Sequence, residues 1–93
     1  MIIGKFHNFP NYDELVAVLE RHYDDVQSGY QSDYWVWINK GNDRFQIDNF
    51  TSVDMEMKSK NPDYPLAEEL IAFLAERYAL DIFDEPELEA HEG

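Results

Sequence analysis

Tyr34-Trp35-Val36-Trp37-Ile38 and Arg44-Phe45-Gln46-Ile47-Asp48, joined by Asn39-Lys40-Gly41-Asn42-Asp43, decide the fold class of this chain. Aromatic and β-branched residues crowd the first segment, a composition suited to a pleated, half-buried strand. The second segment alternates apolar and polar residues, and the turn cluster between them offers Gly41 for a positive φ. Together they predict an antiparallel hairpin. Val53-Asp54-Met55-Glu56-Met57-Lys58 alternates in the same way after a break at residues 49–52, which extends the hairpin to a three-stranded meander.

Two helices are signalled on either side. Asn11 stands as an N-cap with Glu14 three residues on, and Tyr12, Leu15, Val16, Leu19 and Tyr23 then recur at helical spacing. Asp24 to Ser32 is polar and reads as a loop turning at Ser28-Gly29. Downstream, Pro65 opens a second helix behind Asp63 or Tyr64 as cap. Leu66, Leu70, Phe73, Leu74 and Tyr78 form its apolar stripe, and Glu68, Glu69 and Glu76 face outward. Ile2 to Phe6 reads as a short opening strand weakened by Gly4. Leu80, Ile82 and Phe83 act as a short apolar anchor ahead of an acidic, flexible tail. The expected architecture is α+β: a short N-terminal strand, a helix, a three-stranded antiparallel meander and a C-terminal helix (β-α-β-β-β-α). These form a two-layer sandwich in one domain over residues 1–83, with an acidic tail over 84–93.

With 44% hydrophobic residues and 6 Phe, 6 Tyr and 2 Trp, the chain is too apolar for a disordered acidic segment. The absence of cysteine excludes a disulfide-stapled scaffold and thiolate chemistry. Met1 to Phe6 carries no basic leader before an apolar run, and no stretch has the ~20 apolar residues that span a bilayer, so a cytoplasmic, soluble protein is expected.

Charge narrows the partner class. The 93 residues hold 20 acids against 7 Lys and Arg, a formal net of −13. A field of this sign repels nucleic acid and anionic membranes and attracts basic partners. The excess is uneven: residues 1–60 hold 10 acids and 6 bases, a net of −4, while residues 61–93 hold 10 acids and Arg77 alone, a net of −9. The second helix and tail therefore read as an acidic ridge whose carboxylates could stand in for the phosphates of nucleic acid on a basic groove.

Period-two geometry sorts the meander into two faces. Tyr34, Val36, Ile38, Phe45, Ile47, Val53, Met55 and Met57 make a core face. Trp35 and Trp37 fall on the other, beside Arg44, Gln46, Asp48, Asp54, Glu56 and Lys58. Three outcomes are open for the two tryptophans: a partly exposed anchor for a partner, burial beneath the Tyr23–Ser32 loop or the C-terminal segment, or a homodimer contact.

No catalytic pattern stands out, and an enzyme is not expected. His7, His22 and His91 have no nucleophile placed beside them by spacing, and a histidine in the last turn of a helix, such as His22, is explained by the dipole. Asp81, Asp84, Glu85 and Glu87 cluster without the ligand alternation and glycine of a calcium loop, and Glu87 with His91 has only helical ligand spacing, so neither a metal nor a cofactor is expected. Lys5, Arg21, Lys40, Arg44, Lys58, Lys60 and Arg77 are scattered, which argues against direct nucleic-acid binding.

In length, charge and aromatic content the chain resembles acidic bacterial and phage inhibitors such as bacteriocin-type immunity, anti-restriction and anti-CRISPR proteins. The likeness covers no motif and carries no residue role across. The expected function is a non-enzymatic module that inhibits or sequesters a basic protein such as a nuclease. Trp35, Trp37, Glu68, Glu69, Glu76, Asp81, Asp84 and Glu85 are its candidate partner-binding residues. The alternative is a structural domain working as a homodimer through the outer sheet face.

Overall fold

The computed structural model describes residues 1–61 and 63–88. Eight elements follow in order: β1 (Ile2–Phe6), α1 (Tyr12–His22), β2 (Val26–Tyr30), β3 (Tyr34–Lys40), β4 (Asp43–Asp48), β5 (Glu56–Ser59), α2 (Pro65–Ala75) and β6 (Leu80–Glu87). The strands form one six-stranded sheet in the order β2-β3-β4-β5-β1-β6, with every neighbouring pair antiparallel.

The β3–β4 hairpin forms as expected, with Val36 opposite Ile47, Ile38 opposite Phe45, and Gly41 at φ 61° in the turn. Both helices also form where their caps indicate. The Asn11 side chain accepts the Glu14 N–H at 3.1 Å, satisfying one of the unpaired donors of the first turn. Pro65 begins α2, where its missing N–H costs nothing.

The three-stranded meander is corrected to six strands, and three segments change their reading. Asp24–Ser32 is not a loop across the sheet: Val26–Tyr30 within it is β2, paired residue for residue with β3. The segment after the second helix is not an anchor and tail: Leu80–Glu87 is β6, which lies along β1, while residues 89–93, His91 among them, fall outside the described residues. The third strand of the meander is shorter and later than its alternation suggests. β5 spans Glu56–Ser59, Met55 remains buried beside it, and Val53 is 88% exposed. Here a backbone turn, with the Asp54 N–H bonded to the Ser52 hydroxyl at 3.0 Å, prevails over a periodic pattern.

β1 enters between β5 and β6, so the amino terminus is an interior strand, and Gly4 does not break it. The two helical crossings, from β1 to β2 and from β5 to β6, run in opposite lateral directions on oppositely running strands. They therefore share one hand and place both helices on the same face. Leu15 and Leu19 of α1 and Leu66, Leu70 and Leu74 of α2 close over Val36, Ile38, Phe45, Ile47 and Met57 in a single core. The opposite face carries Trp35, Trp37, Arg44, Gln46, Asp48, Glu56 and Lys58, as the alternation predicts.

Candidate functional site

The outer face is neither bare nor covered by another layer. Lys58 and Asp48, diagonal neighbours on β5 and β4, form an ion pair at 2.5 Å with both side chains 3% exposed. The Phe50 N–H adds a bond to Asp48 at 3.2 Å, and the Thr51 hydroxyl bonds Glu56 at 3.1 Å, so the loop before β5 folds over these charges. Burying a charge is costly unless it is paired and hydrogen-bonded, and this loop completes the pairing.

Trp35 and Trp37 sit beside this cluster, half-buried, with ring centroids 4.9 Å apart at 48°. The Arg44 guanidinium lies 4.4 Å from the Trp37 ring, a cation–π contact that shields one side of the indole. Trp35 reaches across the β2–β3 ladder onto Gly29, where an added Cβ would come within 2.9 Å of its Cζ2. The Tyr23–Ser32 segment thus lies beside the tryptophans as a strand instead of burying them. A polar relay fixes that strand: Asn39 donates to Gln27 at 3.1 Å and to Asp25 at 3.3 Å, and accepts from Arg44 at 2.8 Å.

The end of the β2–β3 hairpin gathers more aromatic surface than spacing alone suggests. On the helix side, Tyr12, Tyr30 and Tyr34 form a triangle with centroids 6.2, 4.8 and 5.3 Å apart, and Phe9 meets Tyr34 at 5.8 Å. The Tyr12 hydroxyl, 2.9 Å from the carbonyl oxygens of both Gly29 and Trp35, ties α1 to the hairpin. Burial raises the Tyr12 hydroxyl above its usual range. On the outer side, Trp35 and Phe50 flank Gly29, Tyr30 and Asp33 around a shallow recess. Tyr30, Phe50 and Phe9 are 64, 48 and 47% exposed. Large apolar side chains at such exposure form a clustered patch rimmed by the polar side chains of Gln31, Ser32 and Asp33. Tyr30 and Phe9 lie in segments that resemble loops in sequence, and only the β2 ladder and the start of α1 bring them to Tyr34.

The acidic residues expected to share a site with the tryptophans lie elsewhere. Glu68, Glu69 and Glu76 belong to α2 and its C-cap, on the helix face, opposite the tryptophans. Glu69 is held at the Lys40 end of β3 by an ion pair of 3.0 Å. That is the far end of the strand from Tyr34. Lys40 and a hydrogen bond from Tyr23 hold its carboxyl below the usual carboxylate range, while burial and Glu69 push the Tyr23 hydroxyl well above its own. Glu76 lies 3.7 Å from Arg77. Asp81 stands opposite Lys5 across the β1–β6 ladder, with its carboxylate 3.1 Å from His7 Nδ1. Asp84 and Glu85 are exposed on β6, at the other edge of the sheet from β2.

Among the described residues no group of three or more His, Asp or Glu is placed to hold a metal ion, and no helix is long and apolar enough to cross a membrane. No protein-family model, curated protein or solved structure matches the chain.

Proposed function

We propose that this protein is a binding module that sequesters or inhibits a basic protein, and that it grips its partner around the end of the β2–β3 hairpin. The observation that carries this reading is the company kept by the exposed aromatics. Phe9, Tyr30 and Phe50 surround Tyr34 and Trp35, Asp13 and Asp33 line the same recesses, and the chain has no Lys or Arg between Arg21 and Lys40. An aromatic anchor within an acidic rim suits a cationic surface twice over: the rings take the apolar stems of Lys and Arg, and the carboxylates take their heads. The carboxylates of α2 and β6 lie away from this anchor. Their part is the long-range field, which speeds encounter and makes it salt-dependent.

The test is capture by the immobilised full chain at low and at high salt, with identification of what is bound. A basic protein, held at low salt, released by salt and lost when Tyr30→Ala and Phe9→Ala are combined, is the expected result. Capture that is indifferent to salt, or no basic protein at all, overturns the reading. Sedimentation of the free protein addresses the other reading: a dimer abolished by Trp35→Ala and Trp37→Ala would assign the outer face to a second copy.

A further inference from the structure

The two edges of the sheet are built differently. β6 ends with Asp84, Glu85, Pro86 and Glu87, and its register against β1 breaks between the Gly4–Ile82 and Ile2–Glu87 pairs. Charges, a proline and a bulge are the devices by which proteins prevent an edge strand from pairing with another chain. β2, Val26-Gln27-Ser28-Gly29-Tyr30, has none of them: no charge, no proline and an unbroken register.

The backbone groups that β2 presents follow from its pairing. The Asn39 N–H donates to the Asp25 carbonyl at 2.9 Å, so Asp25–Asn39 is a hydrogen-bonded pair of the ladder. Bonded and non-bonded pairs alternate in antiparallel strands, which makes Gln27–Trp37 and Gly29–Trp35 bonded pairs as well. Val26, Ser28 and Tyr30 then direct their N–H and C=O groups away from β3, along the open edge. Ser28 and Tyr30 are exposed, so the edge is accessible. Asp24 and Asp25 precede this row and Asp33 follows it, with no Lys or Arg in between.

We propose that the β2 edge takes up an extended basic segment of the partner as a seventh strand. This rests on the function proposed above and specifies its mode: main-chain hydrogen bonds to Val26, Ser28 and Tyr30 supply affinity, and the flanking carboxylates select lysine and arginine. The charge argues against a second copy of this chain, because β2–β2 pairing would bring two bodies of net −13 together with their acidic flanks along one seam.

The probe is the peptide Lys-Val-Lys-Thr-Lys-Val-Lys-Thr, with a second version N-methylated at every peptide nitrogen so that neither edge can donate. At low salt the unmethylated peptide is expected to shift the Val26, Ser28 and Tyr30 amide resonances and slow their hydrogen exchange, and methylation to weaken binding about tenfold or more. Ser28→Pro gives the complementary arm. It removes an outward N–H, which proline on an edge strand tolerates, and leaves the β3 ladder intact, so binding should fall by a similar factor while far-ultraviolet circular dichroism stays unchanged. Equal binding of the two peptides, or no binding of either, overturns the proposal, and the methylation arm decides it even if Ser28→Pro does not fold. If a basic protein is still captured in a salt-dependent way under those outcomes, the function stands and only its mode is wrong. A dimer that Ser28→Pro abolishes would instead assign the edge to self-association.

Discussion

The indole of Trp35 occupies the space in which residue 29 would carry a side chain: a Cβ on Gly29 would lie 2.9 Å from Cζ2 and 3.1 Å from Cε2. An aromatic ring folded across a strand glycine compensates for the surface the glycine does not supply. Gly29→Ala should therefore tilt Trp35 away from β2. Because the ring is half-exposed, the cost is expected at the low end of overpacking, about 1 kcal/mol. The sharper signal is near-ultraviolet circular dichroism, where the coupling of the Trp35 and Trp37 rings should change. An unchanged spectrum would separate the ring from Gly29.

The Asp48–Lys58 pair should behave as a buried charge. Lys58→Met leaves the Asp48 carboxylate with the Phe50 N–H and no cation beside it, and urea unfolding should register a loss of about 3–5 kcal/mol. Replacing both partners, Asp48→Leu with Lys58→Met, should recover most of that loss, since two apolar groups have no desolvation to offset. A single variant as stable as the parent would mean that the pair is open to water.

Val53 and Met57 belong to the same alternating run but to different environments, 88% and 0% exposed. Met57→Ala should cost about 2–5 kcal/mol, whereas Val53→Ser should stay within about 0.5 kcal/mol. Thermal or urea unfolding of the two variants tests the shortened β5 directly: equal losses would restore Val53 to the core.

Tyr23 and Glu69 shape opposite ends of the pH profile. Burial, reinforced by Glu69, raises the folded-state pKa of Tyr23 above its ordinary value of 10.0. Its contribution is fully present below pH 10 and is lost as the unfolded chain ionises above that value while the folded chain does not. Lys40 and Tyr23 lower the folded-state pKa of Glu69, so its contribution is present above the ordinary 4.5 and is lost as pH falls through the depressed value. Denaturant midpoints should therefore decline on the alkaline side less steeply in Tyr23→Phe. On the acid side the gap between the parent and Glu69→Gln should close. Parallel curves for parent and variant on either side would remove that residue from the account.

The legible parts of the fold are those with a local cause. Asn11 and Glu14 cap α1, Pro65 starts α2, and the aromatic β3 pairs with the alternating β4 through the two-residue turn Gly41-Asn42, so neighbours in sequence specify each of them. β2 and β6 lack such a cause. Gln27-Ser28-Gly29 has poor strand preference and becomes a strand through its ladder with β3 and the Trp35 ring. Asp84 to Glu87 is acidic, contains Pro86, and rejoins β1 only at Glu87, opposite Ile2 near the other end of the chain. Strand preference depends on the partner more than on the residue. The candidate site divides the same way: Trp35 and Trp37 are visible as an outer pair from alternation alone, while Phe9, Tyr30 and Phe50 are not.

From its own residues, the chain determined two helices, one hairpin, which face of that hairpin is apolar, and a net charge of −13. Composition, caps and period suffice for these because each acts within a few residues. Only the tertiary structure decided that the amino-terminal strand is interior, that the sheet has a guarded edge at β6 and an open one at β2, and that the carboxylates of α2 face away from the tryptophans. Those outcomes depend on pairings between residues as far apart as Ile2 and Glu87, and the loop-closure entropy of such contacts is offset only when the whole sheet assembles.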